Sequence, residues 1–299
     1  MKPARRPGLL AAAVLCVALA APAFLAAQQP RREHKDIEYA DVEGRPLLLD
    51  LYLPEGVANA PLLVWIHGGA WSRGSKDEVP LGFVDAGFAA ASVGYRLSGE
   101  ARFPAQIHDI KAAIRFLRAA APHYGFQAER IAIGGSSAGA HLAALVGVTN
   151  GHAALEGELG SHRDQSSSVQ AIVDYFGPTN LTTILTQSTP HGLSVRVPAL
   201  ELLLGGRPET APELAQLASP VHHVDAADPP LLVFHGDQDP QVPINQSHEL
   251  VGAYERHGLN AEFKVVHGAA HGGRVYYDAE HLEKAASFLR PILSGGAAE

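Results

Sequence analysis

The feature that most constrains this chain is a short stretch where a β-branched apolar run gives way, across glycines, to an Ala/Leu-rich helical pattern. Residues 131–143 read I-A-I-G-G-S-S-A-G-A-H-L-A and contain G-x-S-x-G centred on Ser137. Between a strand and a helix, this pattern predicts a sharp turn that lifts the serine Oγ clear of the sheet, at the positive end of the helix. Glycine is needed on both sides because larger side chains would collide with the neighbouring strand or helix. Ser136 fits less well, since the frame centred on it ends in Ala138.

Residues 1–27 are interpreted as a secretory signal peptide. Three basic residues among the first six precede an uncharged run, mostly of Ala, Leu and Val, and an A-x-A site follows at residues 21–23. An uncleaved membrane anchor is the alternative, but the proline in that site favours cleavage. We therefore expect a secreted or periplasmic protein without stable membrane insertion after cleavage, with residues 28–299 forming a single domain.

Removal of that segment also removes the only cysteine, Cys16, so the mature chain has no disulfide, thiolate nucleophile or cysteine-ligated metal. The loss of its three basic residues takes the formal charge from −8 to −11. An acidic surface of this kind disfavours nucleic acid and anionic membranes as partners. About 270 residues suffice for one domain with a sizeable core. The oligomeric state stays open.

Apolar runs along the chain predict strands that alternate with helices. Two strands are expected around the turn at residues 43–44, and further strands at 61–66, 87–95, 130–133, 171–176, 230–234 and 262–266, with helices at 103–120, ended by Pro122 and Gly125, and at 279–289. The alternation predicts an α/β fold with a mostly parallel twisted sheet and helices on both faces. Residues 181–220, with irregular patterning and many prolines and glycines, are interpreted as a small cap insertion.

The carboxyl ends of the predicted strands carry the residues with chemical potential, at the edge where such sheets bind ligands. A serine hydroxyl needs a positioned base, which needs an acidic partner, and after a G-x-S-x-G serine the acid precedes the histidine. Asp237 and Asp239 compete as the acid, and either could simply stabilise a turn. His267 directly ends a strand and is expected to be buried beside it, whereas His271 lies on a glycine-flanked loop with freedom to approach Ser137. Loop position favours His271.

A second motif, H-G-G-A-W at residues 67–71, follows the predicted strand at 61–66. Small residues at a strand end can turn their backbone N–H groups toward an oxyanion, and Ala138, after the serine, supplies another N–H. An ordinary Gly-Gly turn is the alternative. Trp71 either lines the substrate pocket or packs the loop.

Metal binding is not expected. His267 and His271 have ligand spacing only on a helix, which the glycines at 268, 272 and 273 oppose. On a strand, His222 and His223 would point to opposite faces and could not both bind one ion. No metal or organic cofactor is required by a serine mechanism.

The chain resembles the α/β-hydrolase superfamily, in the branch of microbial esterases similar to hormone-sensitive lipase, and within it the feruloyl and acetyl-xylan esterases marked by an HGGxW loop. The resemblance spans roughly residues 37–290 and rests on L-D-L-Y-L-P at 49–54, H-G-G-A-W at 67–71, V-G-Y-R-L at 93–97, residues 134–143, F-G-P-T at 176–179 and residues 235–243.

This resemblance implies functional roles. It implies that Ser137, Asp239 and His271 form a catalytic triad, and that Gly69, Ala70 and Ala138 form the oxyanion hole.

The function expected is that of a secreted serine carboxylic-ester hydrolase acting on small-molecule or carbohydrate esters with short acyl or aromatic groups. A serine peptidase of the prolyl-oligopeptidase type is an alternative, but the chain has no room for its propeller. A lipase would want a long apolar lid, whereas residues 181–220 mix leucine with polar residues, although leucines at 200–204 could line a tunnel. A non-catalytic binding protein on this scaffold would usually lack a triad member.

Overall fold

The computed structural model describes residue 1 and residues 30–295. Residues 2–29 and 296–299 lie outside the described residues. All of the predicted signal peptide except its first residue therefore lies outside the described residues.

Within residues 30–295, eight strands and nine α-helices follow one another along the chain. The strands are β1 (Arg31–Val42), β2 (Arg45–Pro54), β3 (Ala60–Ile66), β4 (Ala89–Val93), β5 (Phe126–Ser136), β6 (Ala171–Tyr175), β7 (Leu231–Gly236) and β8 (Ala261–Val266). The helices are α1 (Gly82–Asp85), α2 (Ala105–Tyr124), α3 (Ala138–Gly147), α4 (Ala153–Glu156), α5 (Ile184–Gln187), α6 (Pro190–Leu204), α7 (Pro212–Leu217), α8 (Asn245–Arg256) and α9 (Ala279–Leu293). Short 3-10 helices lie at Pro208–Thr210, Pro220–His222 and Arg274–Tyr277.

All eight strands form one sheet in the order β1-β2-β4-β3-β5-β6-β7-β8. The pairs β1/β2 and β2/β4 are antiparallel, and β3, β4, β5, β6, β7 and β8 pair in parallel. The predicted α/β class with a mostly parallel sheet is therefore confirmed. The carboxyl ends of β3, β5, β7 and β8 share one edge, so the loops that follow them meet there.

The core lies on both faces of this sheet. In β3, Leu62 and Val64 pack into a cluster with residues of α2 and α3, while Leu63 and Trp65 pack into a second cluster with residues of α9. Successive side chains of a strand point to opposite faces. A continuous apolar run such as residues 61–66 is what a strand covered on both faces requires.

Helix α2 continues past its predicted end. Pro122 lies inside it, so the prediction that Pro122 ends the helix is wrong. Proline removes one N–H from the helical ladder, and so close to the end the helix tolerates that loss. The helix ends at Gly125, whose φ of +82° suits a glycine and whose N–H bonds to the carbonyl of Ala121 at 2.8 Å.

The segment between β6 and β7 holds α5, α6 and α7. Helix α6 begins where the Thr189 hydroxyl accepts a hydrogen bond from the N–H of Gly192 at 3.0 Å. The same hydroxyl donates to the carbonyl of Pro240 at 3.0 Å, in the loop after β7. These contacts hold α6 beside the loops at the carboxyl edge of the sheet. No helix in the described part of the chain is both long and apolar enough to cross a bilayer.

Candidate active site

Ser137 occupies the tight turn between β5 and α3. Its φ of 52° and ψ of −118° are unfavourable for a residue with a side chain. A Cβ at Gly135 would lie 2.6 Å from the carbonyl oxygen of Ile66, and a Cβ at Gly139 would lie 2.1 Å from the same oxygen. Both distances are too short for any larger residue, so the steric reason for the G-x-S-x-G pattern is confirmed.

The structure brings together the three residues predicted as the triad. Nε2 of His271 lies 2.8 Å from Oγ of Ser137, and its Nδ1 lies 2.6 Å from Oδ2 of Asp239. A neutral imidazole with its proton on Nδ1 donates to the carboxylate and accepts from the hydroxyl. This is the hydrogen-bond arrangement that a serine nucleophile needs.

Asp239 is held from several sides. Its Oδ1 accepts hydrogen bonds from the N–H groups of Gln241 at 2.8 Å and Val242 at 2.9 Å, and Nε2 of His235 lies 3.3 Å from Oδ2. Burial by itself would raise the pKa of Asp239, but the hydrogen bonds from His235 and His271 outweigh it and hold that pKa well below its usual range. The carboxylate therefore stays charged and keeps the imidazole oriented.

The competing acid and base form a pair of their own. Oδ2 of Asp237 lies 2.9 Å from Nδ1 of His267, and Oδ1 accepts from the N–H of Gly268 at 2.7 Å. The His267 side chain is 84% exposed, so the expectation that it is buried beside its strand is wrong. Its ring turns outward from the strand end to meet Asp237. The structure places neither residue of this pair in contact with Ser137.

The H-G-G-A-W loop runs beside Ser137 in a backbone conformation with positive φ. Gly69, Ala70 and Trp71 have φ of 103°, 53° and 58°. At Gly69 a Cβ would lie 2.1 Å from the carbonyl oxygen of Arg73, so the turn has room only for glycine. Among the described residues, no group accepts a hydrogen bond from the backbone N–H of Gly69, Ala70 or Ala138. The donors predicted for the oxyanion hole are therefore available to a ligand.

Trp71 lies under this loop rather than in the cavity. Its side chain is fully buried, and its Nε1–H donates to Nδ1 of His141 at 3.1 Å. Nε2 of His141 in turn donates to the carbonyl of Ala218 at 2.6 Å. Burial lowers the pKa of His141 to about 4, so the ring is neutral and both hydrogen bonds form. Of the two roles considered for Trp71, the structure shows the packing role and not the proposed substrate-binding role, because Trp71 connects the loop to α3 and, through His141, to the segment before β7.

A cavity of about 610 Å³ opens over Ser137 and His271. Phe176 lines it and packs its ring edge against His271, with centroids 4.9 Å apart. Tyr277 and Arg196 also line the cavity. Sequence reasoning missed all three as site residues, although Phe176 begins one of the motifs that carry the family resemblance.

Metal ligands do not cluster near this cavity or elsewhere in residues 30–295: no group of three or more His, Cys, Asp or Glu residues could hold an ion.

Comparison with known proteins identifies the family. Residues 49–254, more than half of the chain, match the family described as BD-FAE. The chain belongs to the BD-FAE family. The match includes the turn at Ser137, the H-G-G-A-W loop and Asp239, and it ends before His271. The predicted resemblance to microbial esterases is thus confirmed.

Individual relatives of the BD-FAE chain are esterases. It is 35% identical to the esterase LipQ of Mycobacterium tuberculosis over 220 residues, which cover 71% of this chain and 50% of LipQ. It spans about half to three-fifths of the length of the curated relatives it matches.

Solved structures give the same result. A truncated carbohydrate esterase from gut microbiota superimposes with a TM-score of 0.80 and 33% identity, covering 90% of this chain and 99% of that one. A thermophilic esterase of Thermogutta terrifontis with propionate bound has a TM-score of 0.69 and 28% identity, covering 88% and 96%. The chain therefore shares the fold of these solved esterases.

Proposed function

We propose that this protein is an exported serine hydrolase of carboxylic esters, with short acyl or aromatic esters of carbohydrates as its main substrates. The observation that carries the proposal is the continuous hydrogen-bonded series from Asp239 through His271 to Ser137. The similarity to a carbohydrate esterase supports the carbohydrate alcohol, and the propionate-bound relative supports a short acyl group.

In the first half of the reaction, Nε2 of His271 takes the proton of Ser137 as Oγ attacks the ester carbonyl carbon. The carbonyl oxygen becomes an oxyanion, which accepts hydrogen bonds from the N–H groups of Gly69, Ala70 and Ala138. Asp239 stabilises the imidazolium. When the tetrahedral intermediate collapses, His271 returns the proton to the leaving alcohol oxygen, and the acyl group stays on Ser137.

In the second half, water replaces the alcohol. His271 takes a proton from the water as its oxygen attacks the acyl carbon, and the same N–H groups hold the second oxyanion. Collapse releases the carboxylic acid and returns the proton to Oγ of Ser137. The residues named here supply every proton transfer in the cycle.

Export is part of the proposal and rests on the sequence of residues 1–27. The first described strand begins at Arg31, so cleavage after the A-x-A site leaves every described element in place. N-terminal sequencing of protein recovered outside the cytoplasm tests this part. An N-terminus at Met1 in the exported fraction would contradict it.

The catalytic assignment is tested with two neighbouring serines. Ser137→Ala should lower kcat for p-nitrophenyl acetate by about 10⁴-fold or more, because it removes the nucleophile. A fluorophosphonate should label the native protein once, at Ser137. Ser136→Ala is the matched control and should keep substantial activity and the label. A folded Ser136→Ala protein that is inactive, beside an active Ser137→Ala protein, would contradict the assignment.

The short-acyl preference is tested with a series of esters from acetate to palmitate. Burial of each added methylene gains about 0.8 kcal/mol only where an apolar groove receives it. The leucines that could have lined a tunnel do not: Leu200, Leu203 and Leu204 are buried in the main core, and Leu202 is exposed. We expect kcat/KM to decline before C8. A series that rises through C10 would favour a lipase.

A further inference from the structure

Arg196 is a buried cation with no ion-pair partner among residues 30–295. It projects from α6, in the segment between β6 and β7, and only 1% of its side chain is exposed. Its Nε and Nη1 are buried and have no hydrogen-bond acceptor, and within residues 30–295 it forms no ion pair. Burial lowers the pKa of Arg196 to about 10, which still leaves it charged at neutral pH.

Such a side chain is costly for the free protein. A buried charge with unmade hydrogen bonds destabilises the fold unless a partner compensates. The Arg196 Cζ lies 5.9 Å from the centroid of the Trp71 ring, and the negative charge of Asp239 raises the pKa of Arg196 without a hydrogen bond or ion pair between the two side chains. Neither satisfies the donors of the guanidinium. The missing partner is expected in the cavity that Arg196 lines together with Ser137 and His271.

A second arginine lines the same cavity. Arg73 follows the H-G-G-A-W loop, is exposed, and forms no ion pair with any described residue. Asp77 and Glu78 also line the cavity, but both are exposed and neither pairs with either arginine. Water solvates these exposed side chains, whereas the buried donors of Arg196 lack an acceptor, so a negatively charged ligand is the partner that the Arg196 side chain favours.

We propose that Arg196, assisted by Arg73, binds a carboxylate carried by the ester substrate. The planar guanidinium offers parallel N–H donors that match a carboxylate with two hydrogen bonds. The substrate class is then an ester with an additional acid group, either a uronic acid in the alcohol or a second carboxylate in the acyl group. This inference rests on the proposed ester hydrolysis and adds the charge of the substrate to it.

Two pairs of substrates show whether the recognised carboxylate belongs to the alcohol or to the acyl group. On the alcohol side, O-acetylated galacturonic acid is compared with O-acetylated galactose. On the acyl side, ethyl hydrogen succinate is compared with ethyl 4-methylpentanoate, in which an isopropyl group replaces the carboxylate. In one of the pairs the native enzyme should have a kcat/KM about 10-fold or more higher for the charged member, as expected for charge-assisted hydrogen bonds. The pair that responds identifies the source.

Arg196→Met tests the residue, because methionine removes the charge and keeps an unbranched stem. It should lower kcat/KM for the charged substrate about 10- to 100-fold more than for the neutral partner. Arg196→Lys should retain part of the preference, and Arg73→Met should weaken it less, because Arg73 is exposed. Equal losses on both members would instead make Arg196 a positioning residue for Asp239 or Trp71 and overturn the proposal.

A binding measurement avoids dependence on these variants. Calorimetry with the Ser137→Ala protein, whose cavity keeps Arg196, should detect tighter binding of galacturonate than galactose, or of succinate than 4-methylpentanamide. The absence of any preference for a carboxylate in both binding and kinetics would refute the proposal. Hydrolysis of p-nitrophenyl acetate separates failure of this inference from failure of the proposed function. Activity on this ester without a preference for charged substrates refutes only the inference. Inactivity on every ester refutes the proposed function.

Discussion

Two Asp–His pairs connect the same two loops, after β7 and after β8, and they differ in what surrounds them. Asp239 and His271 have side chains that are 0% and 11% exposed, with 2.6 Å between carboxylate and ring nitrogen. Asp237 and His267 are 32% and 84% exposed, with 2.9 Å between the corresponding atoms. The chemical groups are the same and the distances are similar. Only the first pair reaches Ser137.

The difference shows that a hydrogen-bonded aspartate and histidine are not sufficient for catalysis, because the histidine must also contact the nucleophile. In the Asp239–His271 pair, the second ring nitrogen lies 2.8 Å from Oγ of Ser137, and both side chains are largely buried. Electrostatic interactions are stronger in such a site than in solvent. In the Asp237–His267 pair, solvent screens the charge and no nucleophile is in contact. We infer that the exposed pair stabilises a turn.

The largest contrast is expected from the two histidines. His271→Gln should lower kcat for p-nitrophenyl acetate by about 10⁵-fold, because the nucleophile loses its base. His267→Gln should change kcat less than about twofold, since an exposed ring away from the serine contributes only to a turn. Both kcat values are measured with purified proteins whose circular dichroism matches the native protein. A His267→Gln protein as inactive as His271→Gln would break the comparison.

The two aspartates should give a smaller contrast. Asp239→Asn should lower kcat by about 10⁴-fold, because the amide no longer holds the imidazole in the tautomer that accepts from Ser137. Asp237→Asn, with the same change in charge and size, should keep near-native kcat. Steady-state kinetics on the same ester measures both. Comparable losses in the two variants would mean that the loop geometry, rather than the hydrogen bond to His271, limits activity.

The smallest effect concerns stability and its pH dependence. The pKa of Asp239 is lower in the folded than in the unfolded protein, so its stabilisation is fully present above the unfolded value near 3.8 and is lost as pH falls below it. Asp239→Asn should lower the free energy of unfolding at pH 7 by about 1–3 kcal/mol, through the loss of charge-assisted hydrogen bonds. The deficit should shrink below about pH 4.

Urea unfolding at pH 7, 5 and 3.5 measures this difference. Asp237→Asn is the control and should show a smaller deficit than Asp239→Asn, because solvent screens the contacts of Asp237 with His267 and Gly268. A deficit for Asp239→Asn that grows as the pH falls would contradict the direction of the pKa shift.

Local sequence determined much of the architecture. The run at residues 61–66 could only be a strand covered on both faces, because successive side chains enter two different cores. Gly135 and Gly139 identified Ser137 over Ser136, because contacts within a few residues of the turn and with Ile66 exclude larger side chains. Helix ends were less well predicted, as Pro122 illustrates. One missing hydrogen bond costs little free energy, so contacts with the rest of the fold decide whether the helix continues past a proline.

The choice between the two Asp–His pairs, by contrast, was made by tertiary structure. Loop position favoured His271 and the family resemblance favoured Asp239, but only the folded chain shows that this pair turns toward Ser137 and the other toward solvent. The same holds for Trp71, which is buried and donates to His141 of α3, and for Arg196, which α6 buries at the edge of the cavity. Sequence patterns record the conformation of neighbours along the chain, because sterics and hydrogen bonds act over a few residues. Burial and the partners of a charge depend on elements brought together by the whole sheet, and only the folded chain decides them.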